Sequence, residues 1–148
     1  MTISEPEILM KPLSILLVED DDGDAKAIER SFRKVKVANP IVRAIDGLDA
    51  LEILKGKNGK VNPPKPCLLL IDLNMPRMNG LQLIKALRED ENLKTSIIFI
   101  LTTSKSEQDM YSAYDYNVAG YIVKAVAGDD FLNLVNLVDY YWRIVEIP

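Results

Sequence analysis

Four stretches of the chain are apolar on successive positions and short: "SILLV" (14–18), "CLLLI" (67–71), "IIFIL" (97–101) and "GYIV" (120–123). A weaker run, "PIVRAI", covers 40–45. Runs of this length without polar alternation predict strands buried on both faces. Between them the period becomes helical. "DAKAIERSFRKVKV" sets Ala25, Ile28, Phe32 and Val35 on one face. "GLDALEILKG" carries Leu48, Leu51 and Leu54 and stops at Gly56, and "GLQLIKALRED" carries Leu81, Ile84 and Leu87. "SEQDMYSAYDYN" opens on Ser106 with Asp109 three residues on, a start like a capping box, and closes on Asn117, a suitable C-cap. "DDFLNLVNLVDYYWRIVE" predicts a long last helix from near Asp129.

Strand–helix alternation five times over predicts an α/β fold: a doubly wound, five-stranded parallel sheet with helices on both faces. Right-handed crossovers leave few topologies. No repeat or second domain is visible. Residues 1–12 read as an N-terminal tail and 13–148 as one domain whose last helix extends it. The Pro- and Gly-rich "GKNGKVNPPKP" (56–66) reads as a surface loop.

In such sheets chemistry sits beyond the carboxyl ends of the strands. After the first strand comes "EDDDGD" (19–24), and after the third comes Asp72, then Leu73-Asn74-Met75-Pro76. "TTS" (102–104) follows the fourth, and Lys124 the fifth. Carboxylates, hydroxyls and one ammonium group therefore converge on one rim.

Composition narrows the chemistry. At 148 residues the chain fits one core, and no apolar run is long enough to span a bilayer. The opening "MTISEPEILMKP" lacks the pattern of a signal peptide. Cys67 is the one cysteine, so a disulfide framework is excluded and a reducing, cytoplasmic setting is expected. A net charge of −4 does not suggest a nucleic-acid surface. The count of histidines is 0, which removes Ser-His-Asp and Cys-His hydrolysis and His-based zinc sites.

Within the acidic run, Asp21, Asp22 and Asp24 read as a solvated loop that caps the next helix. Glu19 and Asp20 follow the strand directly and lie beside Asp72 if strands one and three are neighbours. Three carboxylates so close repel one another, and a hard divalent cation such as Mg²⁺ relieves the repulsion. The charges balance: Glu19, Asp20 and Asp72 sum to −3, and Mg²⁺ with Lys124 to +3. Asp72 alone also reads as a turn cap, Lys124 as a surface lysine, and Thr102 as an ordinary strand-end residue. Their joint placement at strand ends carries the functional reading.

These residues resemble the receiver domain of two-component response regulators over roughly residues 13 to 143. The resemblance rests on "LLVEDD", "LLLIDLNMPRMNG", "IIFILTTS" and "GYIVKA". It implies a flavodoxin-like strand order 2-1-3-4-5, with Asp72 as phosphoacceptor. Glu19 (through water), Asp20, Asp72 and the Asn74 carbonyl would hold Mg²⁺ or Mn²⁺. Lys124 and Thr102 would bind the phosphoryl group, Tyr121 would move with it, and Asn74 and Ser104 would tune its lifetime. The usual donor is a phosphohistidine, so a separate sensor histidine kinase is implied. The chain departs from the family at Ala125, where receivers usually have proline, commonly with a cis bond. A cis non-proline bond costs about 2.5–4 kcal/mol, so Lys124 is the site residue whose placement is most open.

The ending "DYYWRIVEIP" (139–148) resembles stand-alone receivers that partner bacterial and cyanobacterial phytochrome kinases. The last helix also has more apolar residues than one buried face needs. Phe131, Leu134, Val135, Val138 and Trp142 or Tyr141 make that face. Leu132, Leu137, Tyr140, Ile144 and Ile147 are left for a homodimer surface. The expectation is a phosphoacceptor switch, not an enzyme in the ordinary sense, acting without nucleic acid or membrane. Three competing readings remain. A pseudo-receiver would bind partners without phosphorylation. An aspartyl-phosphate hydrolase would want an aspartate where Asn74 stands. A flavin-mononucleotide carrier would need a phosphate loop where "EDDDGD" repels phosphate.

Overall fold

Five parallel strands, β1 (Ser14–Val18), β2 (Val42–Ala44), β3 (Cys67–Ile71), β4 (Ile97–Thr102) and β5 (Gly120–Val123), form one sheet in the order β2-β1-β3-β4-β5. The computed structural model describes residues 13–35, 41–103, 106–124 and 132–144. The helices are α1 (Asp22–Val35), α2 (Gly47–Lys55), α3 (Gly80–Glu89), α4 (Glu107–Asp115) and α5 (Leu132–Ile144). This is the strand order, 2-1-3-4-5, that the resemblance implies.

The helix ends follow their capping residues. Asp21 Oδ1 accepts the Asp24 N–H (2.8 Å), so α1 starts at Asp22, two residues before the helical pattern begins. Asp46 caps α2, and Gly56 ends it in the left-handed region (φ 64°), as its glycine predicts. Asn79 and Gln82 make a reciprocal capping box on α3. Ser106 caps α4 through the Asp109 N–H (3.2 Å), and Asn117 takes φ 59° just past the cap residue Tyr116.

Alternation along the strands divides the core in two. Leu16, Val18, Leu69, Ile71, Ile98 and Ile100 pack with α2, α3 and α4. Ile15, Leu17, Leu68, Leu70, Phe99 and Leu101 pack with α1 and α5. Two helix faces differ from expectation. In α2 the buried residues are Gly47, Ala50, Ile53 and Leu54, while Leu48 is exposed. Gly47 lies close under Met78, its N–H bonded to the Met78 carbonyl, while Leu51 is half-buried and Leu54 buried. In α3, Leu83 joins Ile84 and Leu87 inside, and Leu81 is half-buried.

In α5, Leu134, Val135 and Val138 are buried, and Tyr141 meets Phe99 edge-to-face with centroids 5.1 Å apart. Leu137 and Tyr140 are 42% and 69% exposed, as their place outside the buried stripe predicts. The side chains of Leu132, Trp142 and Ile144, and all of Phe131 and Ile147, lie outside the described residues. No helix among the described residues is long and apolar enough to cross a membrane. Burial pushes the Cys67 thiol up to about 11, so it behaves as a core residue.

Arg88 ties α3 to the far end of the sheet. Its guanidinium donates to the carbonyls of Tyr116 (2.6 Å), Lys94 (2.8 Å), Ser96 (2.8 Å) and Asn117 (3.1 Å). Arg88→Ala strips all four acceptors of a charged donor. The expected loss is about 2–3 kcal/mol, read as a lower urea midpoint at unchanged slope.

Candidate functional site

Strand register builds the site. Val18 pairs with Ile71, so the residues that follow, Glu19 and Asp72, leave the sheet side by side. The Asp72 N–H still donates to the Val18 carbonyl (3.0 Å), and the Glu19 N–H to that of Ala44 (3.0 Å). Both side chains are therefore carried on extended, hydrogen-bonded backbone. Carboxylate oxygens of Glu19, Asp20 and Asp72 lie within 4.8 Å of one another. Glu19 and Asp72 are buried and Asp20 is exposed. Burial drives the Glu19 carboxyl up to about 8; Lys124 opposes that rise and Asp72 adds to it.

Lys124 comes from the end of β5, where Thr102 pairs with Val123. Its Nζ lies 2.6 Å from Glu19 Oε1, 2.7 Å from Asp24 Oδ2 and 3.5 Å from Asp72 Oδ2. These carboxylates hold its ammonium pKa above the ordinary lysine range in spite of burial. So Lys124 does reach the acidic cluster with alanine behind it; Ala125 and its peptide bond lie outside the described residues.

Asp24 corrects the sequence reading. It was expected to be a solvated cap residue, but it is one of the two short partners of Lys124. Because Asp21 is the N-cap, Asp24 falls in the first turn of α1, on the side facing the end of β5. That signal becomes usable only once the helix start is known.

The loop after Asp72 is clamped. The Asn74 N–H donates to Asp72 Oδ1 (3.3 Å), the Gly80 N–H to the Leu73 carbonyl (2.9 Å) and the Gly47 N–H to the Met78 carbonyl (3.1 Å). Arg77 donates to Asp46 at 2.6 Å. Burial pushes the Asp46 carboxyl up, but Arg77 and the backbone N–H groups of Asp49 and Leu48 outweigh it and hold it below the usual range. Arg43 of β2 steadies the other loop, donating to the Glu19 carbonyl (2.9 Å) and pairing with Asp22 (2.7 Å). Neither arginine is marked in the sequence by spacing or composition.

Thr102 is fully buried at the end of β4, and Tyr121 is half-buried beside the α2–α4 core. Ser104 lies outside the described residues. The donor set of the acidic cluster is all carboxylate oxygen, with no thiolate or imidazole, which suits a hard divalent ion such as Mg²⁺ or Mn²⁺.

A family model for the response regulator receiver domain matches residues 15–136. Response regulator Rcp1 of Synechocystis sp. is 29% identical over 138 residues, which are 93% of this chain and 94% of that protein. The crystal structure of the Mn(2+)-bound form of Rcp1 superposes with a TM-score of 0.81, covering 93% of this chain and 99% of the other. The phosphorylated cyanobacterial phytochrome response regulator RcpA gives a TM-score of 0.83 at 28% identity, with the same coverage.

Proposed function

Because the chain belongs to the response regulator receiver domain family, we propose that Asp72 accepts a phosphoryl group from a phosphohistidine of a separate sensor kinase. Response regulators are signalling proteins, and the product here is a changed surface. The observation that carries the reading is the juxtaposition of three carboxylates within 4.8 Å with the Lys124 ammonium, 3.5 Å from Asp72.

A carboxylate oxygen of Asp72 attacks phosphorus in line with the donor's P–N bond. That bond breaks, its electron pair leaves with the imidazole nitrogen, and an aspartyl phosphate forms. Glu19, Asp20, Asp72 and the Asn74 carbonyl are the residues that would hold Mg²⁺ or Mn²⁺. When bound, the ion neutralises charge on the phosphoryl oxygens. Lys124 supplies a second, fixed positive charge. The hydroxyl of Thr102 is then a hydrogen-bond donor for a phosphoryl oxygen, and Tyr121, on the neighbouring strand, follows it.

Similarity to Rcp1 and to the phytochrome regulator RcpA supports a phytochrome-type kinase as the partner. Exposed Leu137 and Tyr140 on α5 support a homodimer through the last helix. Intact-mass measurement after incubation with Mg²⁺ and a small phosphodonor tests the central claim. One added phosphoryl group, absent when the metal is chelated, is the expected result. No gain from a small donor or from a phosphorylated histidine kinase would overturn it and leave a phosphorylation-independent binding module.

A further inference from the structure

Lys124 has three N–H donors and three carboxylates around it. Two contacts are short: Glu19 at 2.6 Å and Asp24 at 2.7 Å. Asp72 stands back at 3.5 Å. A phosphoryl group on Asp72 brings new anionic oxygens toward the same ammonium. To meet them at hydrogen-bond distance, Lys124 must give up or lengthen one of its short contacts.

The two partners are not equivalent. The Glu19 side chain is 1% exposed, so giving up its close ammonium partner costs more there than at an exposed carboxylate. The Asp24 side chain is 38% exposed, so water solvates it when the lysine leaves. Asp24 also keeps its place in the first turn of α1, where the helix dipole favours a negative charge with or without the lysine. Asp24 is therefore the exchangeable partner.

We propose that Asp24 is a positioning residue that competes with the phosphoryl group for Lys124, and so sets the free-energy gap between the unmodified and phosphorylated states. This rests on Asp72 being the acceptor. The contact has a directional consequence as well. It joins α1 to the end of β5 only in the unmodified state, and phosphorylation releases it.

Beryllofluoride, a phosphoryl mimic that binds the acceptor carboxylate without covalent turnover, reads the competition at equilibrium. With saturating Mg²⁺, Asp24→Asn and Asp24→Ala should each bind it roughly two- to fivefold more tightly than the parent, the scale of one partly exposed ion pair. The melting temperature without beryllofluoride should stay level or fall, because an ion pair is lost. A merely structural role for Asp24 moves stability and affinity downward together. Equal or weaker binding by both variants, with normal binding by the parent, overturns the role of Asp24 and leaves the acceptor intact. A parent protein that neither binds beryllofluoride nor gains a phosphoryl group overturns the acceptor reading itself.

Discussion

Asp72→Asn will abolish phosphoryl uptake and at the same time raise the melting temperature of the metal-free protein. The first effect follows from chemistry, since a carboxamide oxygen is a poor nucleophile toward phosphorus and its product has no stable counterpart. The second follows from charge. Three carboxylates lie within 4.8 Å of one another, and Lys124 is the one cation in contact with them among the described residues. Removing one carboxylate relieves repulsion on both of the others. The contact given up is the longest that Lys124 makes, at 3.5 Å. The Asn74 N–H keeps an oxygen acceptor at the same place. The expected gain is about 1 kcal/mol, or about 2–4 °C for a chain of this size. Adding Mg²⁺ should raise the melting temperature of the parent and much less that of the variant, because binding to the folded form is stabilising. Thermal unfolding with a chelator and then with Mg²⁺ measures both. A variant less stable than the parent in chelator would mean that attraction to Lys124 outweighs repulsion at this site.

Gly80→Ala should be strongly damaging, with the shortest clash among the described glycines. A Cβ there would sit 2.4 Å from the Asp72 carbonyl oxygen and 2.7 Å from Leu73 Cα. Both are backbone atoms, so no rotamer change gives relief. They also belong to the residue that carries the acceptor and to the turn that orients it. Either α3 backs away, and the Gly80 N–H to Leu73 carbonyl bond breaks, or the end of β3 shifts. Overpacking of this kind costs about 3 kcal/mol. A displacement of roughly 1 Å at a reacting centre slows chemistry on the order of a hundredfold. Urea unfolding and the rate of mass gain with a small phosphodonor check the two parts. Loss of stability with an unchanged rate would show that α3 moves and the acceptor stays.

The strands were legible because each is a short apolar run with no alternation, and burial on both faces leaves little else for such a run to be. Their polar neighbours were legible for the same reason, since a charge at the end of a buried strand must lie on the rim. The helix faces were less so. In α2 the leucines at 48, 51 and 54 are the conspicuous apolar row, yet Leu48 is exposed, and Ala50 and Ile53 join Leu54 inside. Leucine spacing says which residues share a side. It does not say how closely a glycine such as Gly47 lets that helix approach its neighbour. Asp24 was hidden because its partner is 100 residues away. Arg88 was hidden because its acceptors are main-chain carbonyls, which every residue has and no sequence marks.

The sheet is graded in stiffness. β3 is paired on both edges, and Leu68 to Ile71 are buried, so their amides should exchange with solvent only when the whole domain opens. β5 is paired with β4 alone among the described residues, and all four of its residues are half-exposed. Its amides should exchange through small local openings. The proposed acceptor is therefore mounted on one of the interior strands, while Tyr121 and Lys124 belong to an edge strand and its end. Backbone movement that follows a change at Asp72 is expected to be easier at the β5 edge than within β3, and hydrogen exchange at Gly120 to Val123 would read it.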